Sequence, residues 1–188
     1  MRPVTPSGAL LVRPLLSLLL LPGCAHVSLA GRVPQASAAL EGRSGSTQRG
    51  TADFFVDGED VTVRLAVSGA RPGRHGVHLH ERADCSAMDA SSAGGHWNPG
   101  LASHGAFEAS PSHLGDLGNL EVAADGTGTM LLTTRRWSLS SGRGDDIVGH
   151  SLVIHADADD VTTQPAGNSG DRVACGVVLP SIMRAERP

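Results

Sequence analysis

Between positions 78 and 155 the chain carries six histidines and an aspartate in settings that suit metal ligation: His78, His80, His96, His104, His113, Asp116 and His155. His78 and His80 stand two apart. On a strand, side chains at i and i+2 share a face, with Cα atoms about 6.6 Å apart, so both imidazoles can converge on one ion. A His-x-His pair alone is more often not a ligand pair, and it gains weight only from further donors later in the chain. His96, His104, His113 and Asp116 come next, spaced 8, 9 and 3 apart. Three imidazoles and a carboxylate suit tetrahedral Zn²⁺. A loop whose histidines are merely solvated is the competing reading. Gly94-Gly95, Pro99-Gly100 and Gly105 weigh against it, because they allow the tight turns a ligating loop needs. His75 has the opposite parity to His78 and is expected to point away and serve structure. His150 and His155 lie five apart in one strand candidate, so only one of them can face the site. Cys85, Cys175 and Arg172, three residues before the second cysteine, complete the set. Together these residues suggest a redox enzyme that needs metals, a disulfide and one fixed positive charge.

The elements that must hold these residues read as strands. Val61, Val63, Leu65 and Val67 alternate with Thr62, Arg64, Ala66 and Ser68, a period-2 strand with one buried face. Asp57-Gly58-Glu59-Asp60 before it and Arg71-Pro72-Gly73 after it are turn signals. Similar patterns place strands over residues 36–41, 51–56, 75–81, 117–123, 127–134, 148–156 and 174–179. Residues 82–116 and 157–172 lack strand pattern. Loops that long in a compact domain are usually functional, and nearly all the candidate ligands lie in them or at strand ends beside them. No repeat or helical period stands out. The fold class is all-β, a sandwich or flattened barrel.

At 188 residues there is room for one domain with a real core. Aromatics are only 3% and Tyr is absent, so that core must rest on Val, Leu, Ile and Ala. The net charge of −4 argues against nucleic acid as a partner. Residues 1–23 read as a signal peptide. Arg2 and Arg13 supply positive charge, and the apolar run at 15–21 is far below the roughly 20 residues that span a bilayer. Leu21-Pro22-Gly23-Cys24 is similar to a bacterial lipobox, in which Cys24 would be lipidated and become the mature N-terminus. Pro22 is unusual there, and a plain secretory leader cut nearby is the alternative. Residues 24–35 read as a tether and 36–188 as the domain. Three cysteines in an exported protein leave one over. Ala25, where an Asp would retain a lipoprotein at the inner membrane, favours the outer membrane within a periplasm or cell envelope.

Five segments, taken in order, carry a resemblance. They are Gly73-Arg-His-Gly-Val-His-Leu-His80, Ser92-Ala-Gly-Gly-His-Trp-Asn-Pro99, His113-Leu-Gly-Asp-Leu-Gly-Asn119, Leu152-Val-Ile-His-Ala-Asp-Ala-Asp-Asp160 and Gly167-Asn-Ser-Gly-Asp-Arg-Val-Ala-Cys-Gly176. They resemble the copper/zinc superoxide dismutase family from about residue 36 to 179, with every metal position filled. The resemblance implies a Greek-key β-sandwich, a flattened eight-stranded barrel with two long functional loops. It implies copper on His78, His80, His96 and His155, and zinc on His96, His104, His113 and Asp116, with His96 serving both. Asp159 resembles the carboxylate that links His78 to His104 through their other ring nitrogens. Cys85–Cys175 resembles the family disulfide, which would leave Cys24 for the lipid. Arg172 resembles the active-site arginine that attracts and orients the anion. The implied activity is dismutation of superoxide to oxygen and hydrogen peroxide, with His96 shuttling one proton per turnover.

Departures from the family pattern concern charge. Asp157 stands just after His155, where many eukaryotic members have a steering Lys. Steering of the anion is therefore expected to be weak, or supplied by Arg74, Arg82 or Arg143. A homodimer is compatible with the resemblance, but bacterial members differ in their dimer contacts. The competing functions are a non-catalytic copper/zinc-binding module of the same fold and an adhesive sandwich stapled by one disulfide. The complete ligand set with Arg172 argues against the first, and six aligned histidines against the second.

Overall fold

The alternation at residues 61–67 is expressed as β3 (Asp60–Ser68), with Val61, Val63, Leu65 and Val67 all buried. The computed structural model describes residues 28–181, so the leader, Cys24 and residues 182–188 lie outside the described residues. The remaining strands are β1 (Ala36–Gly42), β2 (Arg49–Asp57), β4 (Gly73–His80), β5 (Asp116–Val122), β6 (Gly128–Thr134), β7 (Ser151–His155), β8 (Arg172–Val177) and the short β9 (Leu179–Pro180). All pairings are antiparallel. They run β1-β2-β3-β6-β5-β4-β7-β8 and return to β1, which closes an eight-stranded barrel with no free edge among them. β9 continues β8 along β1 in one register, with Glu41 opposite Cys175 and Ser37 opposite Leu179. The β3–β4 and β6–β7 connections each join strands that are not neighbours, the Greek-key order.

Inside the barrel lie Phe54, Val63, Leu65, Leu79, Leu120, Leu152 and Ile154, each almost fully buried. Alternation in β4 and β7 then decides where the histidines go. Val77, Leu79, Leu152 and Ile154 belong to the core. Their neighbours His78, His80, Val153 and His155 must therefore face outward. These outward residues are buried all the same, because residues 81–115 and 156–171 lie over them. A small second cluster of Ala90, Ala93, Val153 and Cys175, with Cys85 packed against it, fixes the first of these loops to the barrel wall.

Most boundaries shift by two residues or fewer, and the start of β7 departs further from the sequence reading. β7 starts at Ser151, not at 148, and residues 135–150 form a third long stretch without strands. The cause is Asp146, whose carboxylate accepts the backbone N–H groups of Ser140, Gly142 and Val148. That folds the segment on itself, and Gly149 at φ 90° turns it into β7. His150 consequently lies before the strand. It stacks on Trp97, with ring centroids 4.4 Å apart, and its Nδ1 lies 3.0 Å from the Glu81 carbonyl.

Candidate metal centre

Three strands and one loop bring the seven candidate ligands into two groups that share one residue. His78 and His80 come from β4, His155 from the end of β7, and His96 from the loop at 81–115, where it bridges to His80. His104, His113 and Asp116 come from the same loop and the first residue of β5. Within each group the ligand atoms lie within 4.8 Å of one another: His78, His80, His96 and His155 in one, His96, His104, His113 and Asp116 in the other. The rings of His78 and His96 stack at 3.9 Å.

Hydrogen bonds behind the rings set which nitrogen is free. His80 donates from Nδ1 to the Gly94 carbonyl (3.0 Å) and His155 from Nδ1 to the Gly170 carbonyl (3.2 Å). Nε2 of His78 lies 2.8 Å from Oδ2 of Asp159, and Nε2 of His104 lies 2.9 Å from Oδ1 of the same carboxylate. A neutral imidazole carries one N–H, so each of these rings aims a lone pair at the opposite side. The backbone of Asp159 is gripped in turn. Its N–H donates to Asn119 Oδ1 (2.7 Å), and Asn119 Nδ2 donates to its carbonyl (2.8 Å).

Donor chemistry tests whether these pockets fit metals. Nδ1 of His78 and Nε2 of His80, His96 and His155 are buried and have no hydrogen-bond partner. Four bare lone pairs converging in a buried space carry a cost that a cation removes. In the second group, Oδ1 of Asp116 lies 3.1, 3.0 and 3.1 Å from Nδ1 of His96, His104 and His113. His104 has already committed its one N–H to Asp159, so its Nδ1 and the Asp116 oxygen are two acceptors in contact. A tetrahedral ion with ligand bonds of about 2.0 Å has ligand–ligand edges of about 3.3 Å, close to these separations. Both groups fit metal ions.

Burial pushes the pKa of His78 and His80 well below the ordinary histidine value, and that of His155 down to about 4. These rings are therefore neutral and able to ligate at pH 7. Burial alone would raise the pKa of Asp116. Hydrogen bonds from His96 and from the N–H groups of Gly105 and His113 outweigh it and hold the group at about 2, a carboxylate. His75 is also buried, but it faces elsewhere. Its Nδ1 lies 2.8 Å from the His155 carbonyl and its Nε2 lies 2.7 Å from the Arg71 carbonyl, so it braces the backbone beneath a ligand.

A mouth of about 530 Å³ opens onto the first group, with His80, His96, His155, Glu81, Gln164 and Arg172 on its walls. Arg172 is fixed there by donating to the carbonyls of Ala90 and Gly94, both at 2.7 Å. A disulfide joins Cys85 to Cys175, Cα atoms 5.7 Å apart, and so ties the loop bearing those carbonyls to β8.

Residues 48–178 match the sequence model of copper/zinc superoxide dismutase. The chain belongs to that family. A superoxide dismutase [Cu-Zn] of Deinococcus radiodurans is 38% identical over 180 residues, covering 89% of this chain and 95% of that one. An extracellular superoxide dismutase [Cu-Zn] of Caenorhabditis elegans is 40% identical over 135 residues, covering 69% of this chain and 60% of the nematode protein. The crystal structure of a double mutant of a SOD-like protein from Bacillus subtilis superposes with a TM-score of 0.68 at 38% identity, covering 76% of this chain and 96% of that one. Membership makes the chain an oxidoreductase of the superoxide dismutase type, with copper and zinc as its metals.

What sequence reasoning missed in this superoxide dismutase site is the outer support. Asn119 and Gly170 stand inside the matching motifs without a role. Gln164 donates to the His104 carbonyl (2.9 Å) and accepts from its N–H (2.8 Å), and no sequence pattern flags it.

Proposed function

We propose that His78, His80, His96 and His155 hold copper, that His96, His104, His113 and Asp116 hold zinc, and that the His96 imidazole joins the two ions. One observation carries this reading. A single ring presents Nδ1 to the group around Asp116 and a bare, buried Nε2 to the group of four imidazoles. When bound, copper supplies the one-electron couple by which one superoxide leaves as oxygen and a second, with two protons, leaves as hydrogen peroxide. The protein's part is positional and electrostatic. Arg172 spends donors on Ala90 and Gly94 and keeps its charge in the mouth, where it draws in an anion and orients it beside the first group. Nε2 of His96 is the atom that would hold a proton between the two half-reactions. Asp159 fixes the tautomers of His78 and His104, which keeps both groups in register with each other.

The test is dismutation by the metal-free protein and after loading with copper and zinc. Activity is expected only with copper. A folded, fully loaded protein without activity would turn the reading to a metal-binding module. His155→Ala should lose copper and activity while keeping zinc; copper-dependent activity that survives would unseat the ligand assignment.

The same reading places the mature protein outside the cytoplasm, with residues 1–23 as leader, 24–35 as tether and 36–188 as domain. Support comes from the leader pattern, from relatives named extracellular, and from a disulfide that persists in an oxidising compartment. Lipidation of Cys24 would anchor it, on the outer membrane where there is one. Cys24→Ser should release the protein from membranes, and persistent membrane association would count against the anchor.

A further inference from the structure

Two zinc-group residues depend on a single peptide unit, the one joining Ser112 to His113. Its N–H donates to Oδ2 of Asp116 at 2.8 Å. Its carbonyl, on the opposite edge, accepts from Nη2 of Arg136 at 3.2 Å. The same nitrogen reaches the His113 carbonyl at 3.2 Å, and Nη1 donates to Ser112 Oγ at 2.9 Å. Arg136 lies just after β6, on the 135–150 stretch, which contributes no candidate ligand. The next residue, Trp137, donates its indole N–H to the Leu114 carbonyl at 2.9 Å. Three consecutive residues leading to Asp116 are thus held from a separate element.

The chemistry of this contact is directional. A cation on a peptide carbonyl polarises the amide and strengthens its N–H as a donor. Here that N–H faces the Asp116 oxygen that is not the one surrounded by imidazoles. Its only other backbone donor among the described residues is Gly105, at 3.0 Å. The planar fork divides these three contacts between two nitrogens, a geometry that the point charge of an ammonium does not match. We propose that Arg136 is a positioning residue of the zinc site, acting through the Ser112–His113 peptide to orient Asp116 and His113. The proposal rests on the zinc assignment above. It predicts loss of zinc without loss of copper, because Arg136 touches none of His78, His80, His96 and His155.

Arg136→Gln, Arg136→Lys and Ser112→Ala are compared with the unaltered protein, each loaded with copper and with cobalt(II) in the zinc position. The readouts are the rate at which a chelator removes cobalt, followed by its visible bands, and the copper content retained over the same time. Arg136→Gln should release cobalt roughly 10- to 100-fold faster, with Arg136→Lys between it and the unaltered protein. Ser112→Ala keeps both carbonyl contacts and should stay within about fivefold, the worth of one ordinary hydrogen bond. Copper retention should not move. Unchanged cobalt release in Arg136→Gln, or equal loss of both metals, would overturn the role. Should Arg136→Gln fail to fold, Arg136→Lys decides by the same criterion. An unaltered protein that never takes up zinc or cobalt would sink the ligand assignment itself, and this role with it.

Discussion

At the scale of single residues, the site is built by satisfying one nitrogen of a ring in order to strand the other. His80 and His155 each give an N–H to a backbone carbonyl, His78 gives one to Asp159, and the opposite nitrogens are left bare in a buried space. This has a cost in the metal-free protein that pH should reveal. His155 is held at about 4 against an ordinary value of 6.5, and His78, His80 and His113 are lowered in the same direction by burial. Between those limits the unfolded chain binds more protons than the folded one. Stability is therefore complete above about pH 6.5 and is lost as pH falls towards 4, by about 3 kcal/mol for His155 alone. Asp116, held at about 2, adds a further loss below about pH 4. Urea unfolding of the metal-free protein at pH 7.5, 6 and 5 should show a falling midpoint; a flat profile would mean that these rings titrate normally. The ligand types were legible in the sequence because nine histidines are few enough for six in ligating settings to stand out. The carbonyls of Gly94 and Gly170, which choose the tautomers, were not, since every residue has a carbonyl and only the fold selects among them.

At the scale of elements, the site depends on strands being rigid and loops being tied. β4 and β7 could be read from alternation, and the parity of His78 and His80 came with it. The start of β7 could not. Val148 and the residues around it have strand-like character, but the Asp146 carboxylate captures the Val148 N–H before a ladder can form. The loop at 81–115 is tied by Cys85–Cys175, and the same loop carries the two carbonyls that hold Arg172, one of which, that of Gly94, also holds His80. The two cysteines are 90 residues apart, a long closed loop in the unfolded chain. Replacing both by Ala should cost about 2–5 kcal/mol in a denaturation curve of the metal-free protein. The loaded variant should also lose catalytic rate through Arg172 while keeping its zinc, because the residues proposed to hold zinc lie further along the chain and are supported by Arg136 and Gln164. A variant that loses stability yet keeps the full rate would show that the disulfide stiffens the fold without placing Arg172.

At the scale of the whole molecule, the question is how an acidic protein attracts an anion. The net charge is −4, and the proposed loss of the leader, with Arg2 and Arg13, would make it more negative. Two of the arginines expected to steer are already committed: Arg74 pairs with Glu121 at 3.1 Å and Arg143 with Asp145 at 2.5 Å. Arg82, beside the mouth residue Glu81, is left as the remaining candidate of the three. Asp157 is not the bare repulsive charge that its position in the sequence suggests, because Arg71 pairs with it at 3.0 Å and also donates to the Ala156 carbonyl. In the mouth itself Glu81 stands on the same walls as Arg172, and Asp89 acts on the Arg172 charge from nearby. The attractive field is therefore short-ranged, and the second-order rate constant should fall by no more than about threefold from 10 to 150 mM salt, where the screening length shortens to about 8 Å. Arg71→Ala would expose the charge of Asp157 and should slow the reaction at low salt, whereas Asp157→Asn should speed it. Both differences should vanish at high salt if they act through the field. A deficit in Arg71→Ala that persists at high salt would assign the Arg71 side chain to the support of the backbone next to His155, through its donation to the Ala156 carbonyl, and would remove it from steering.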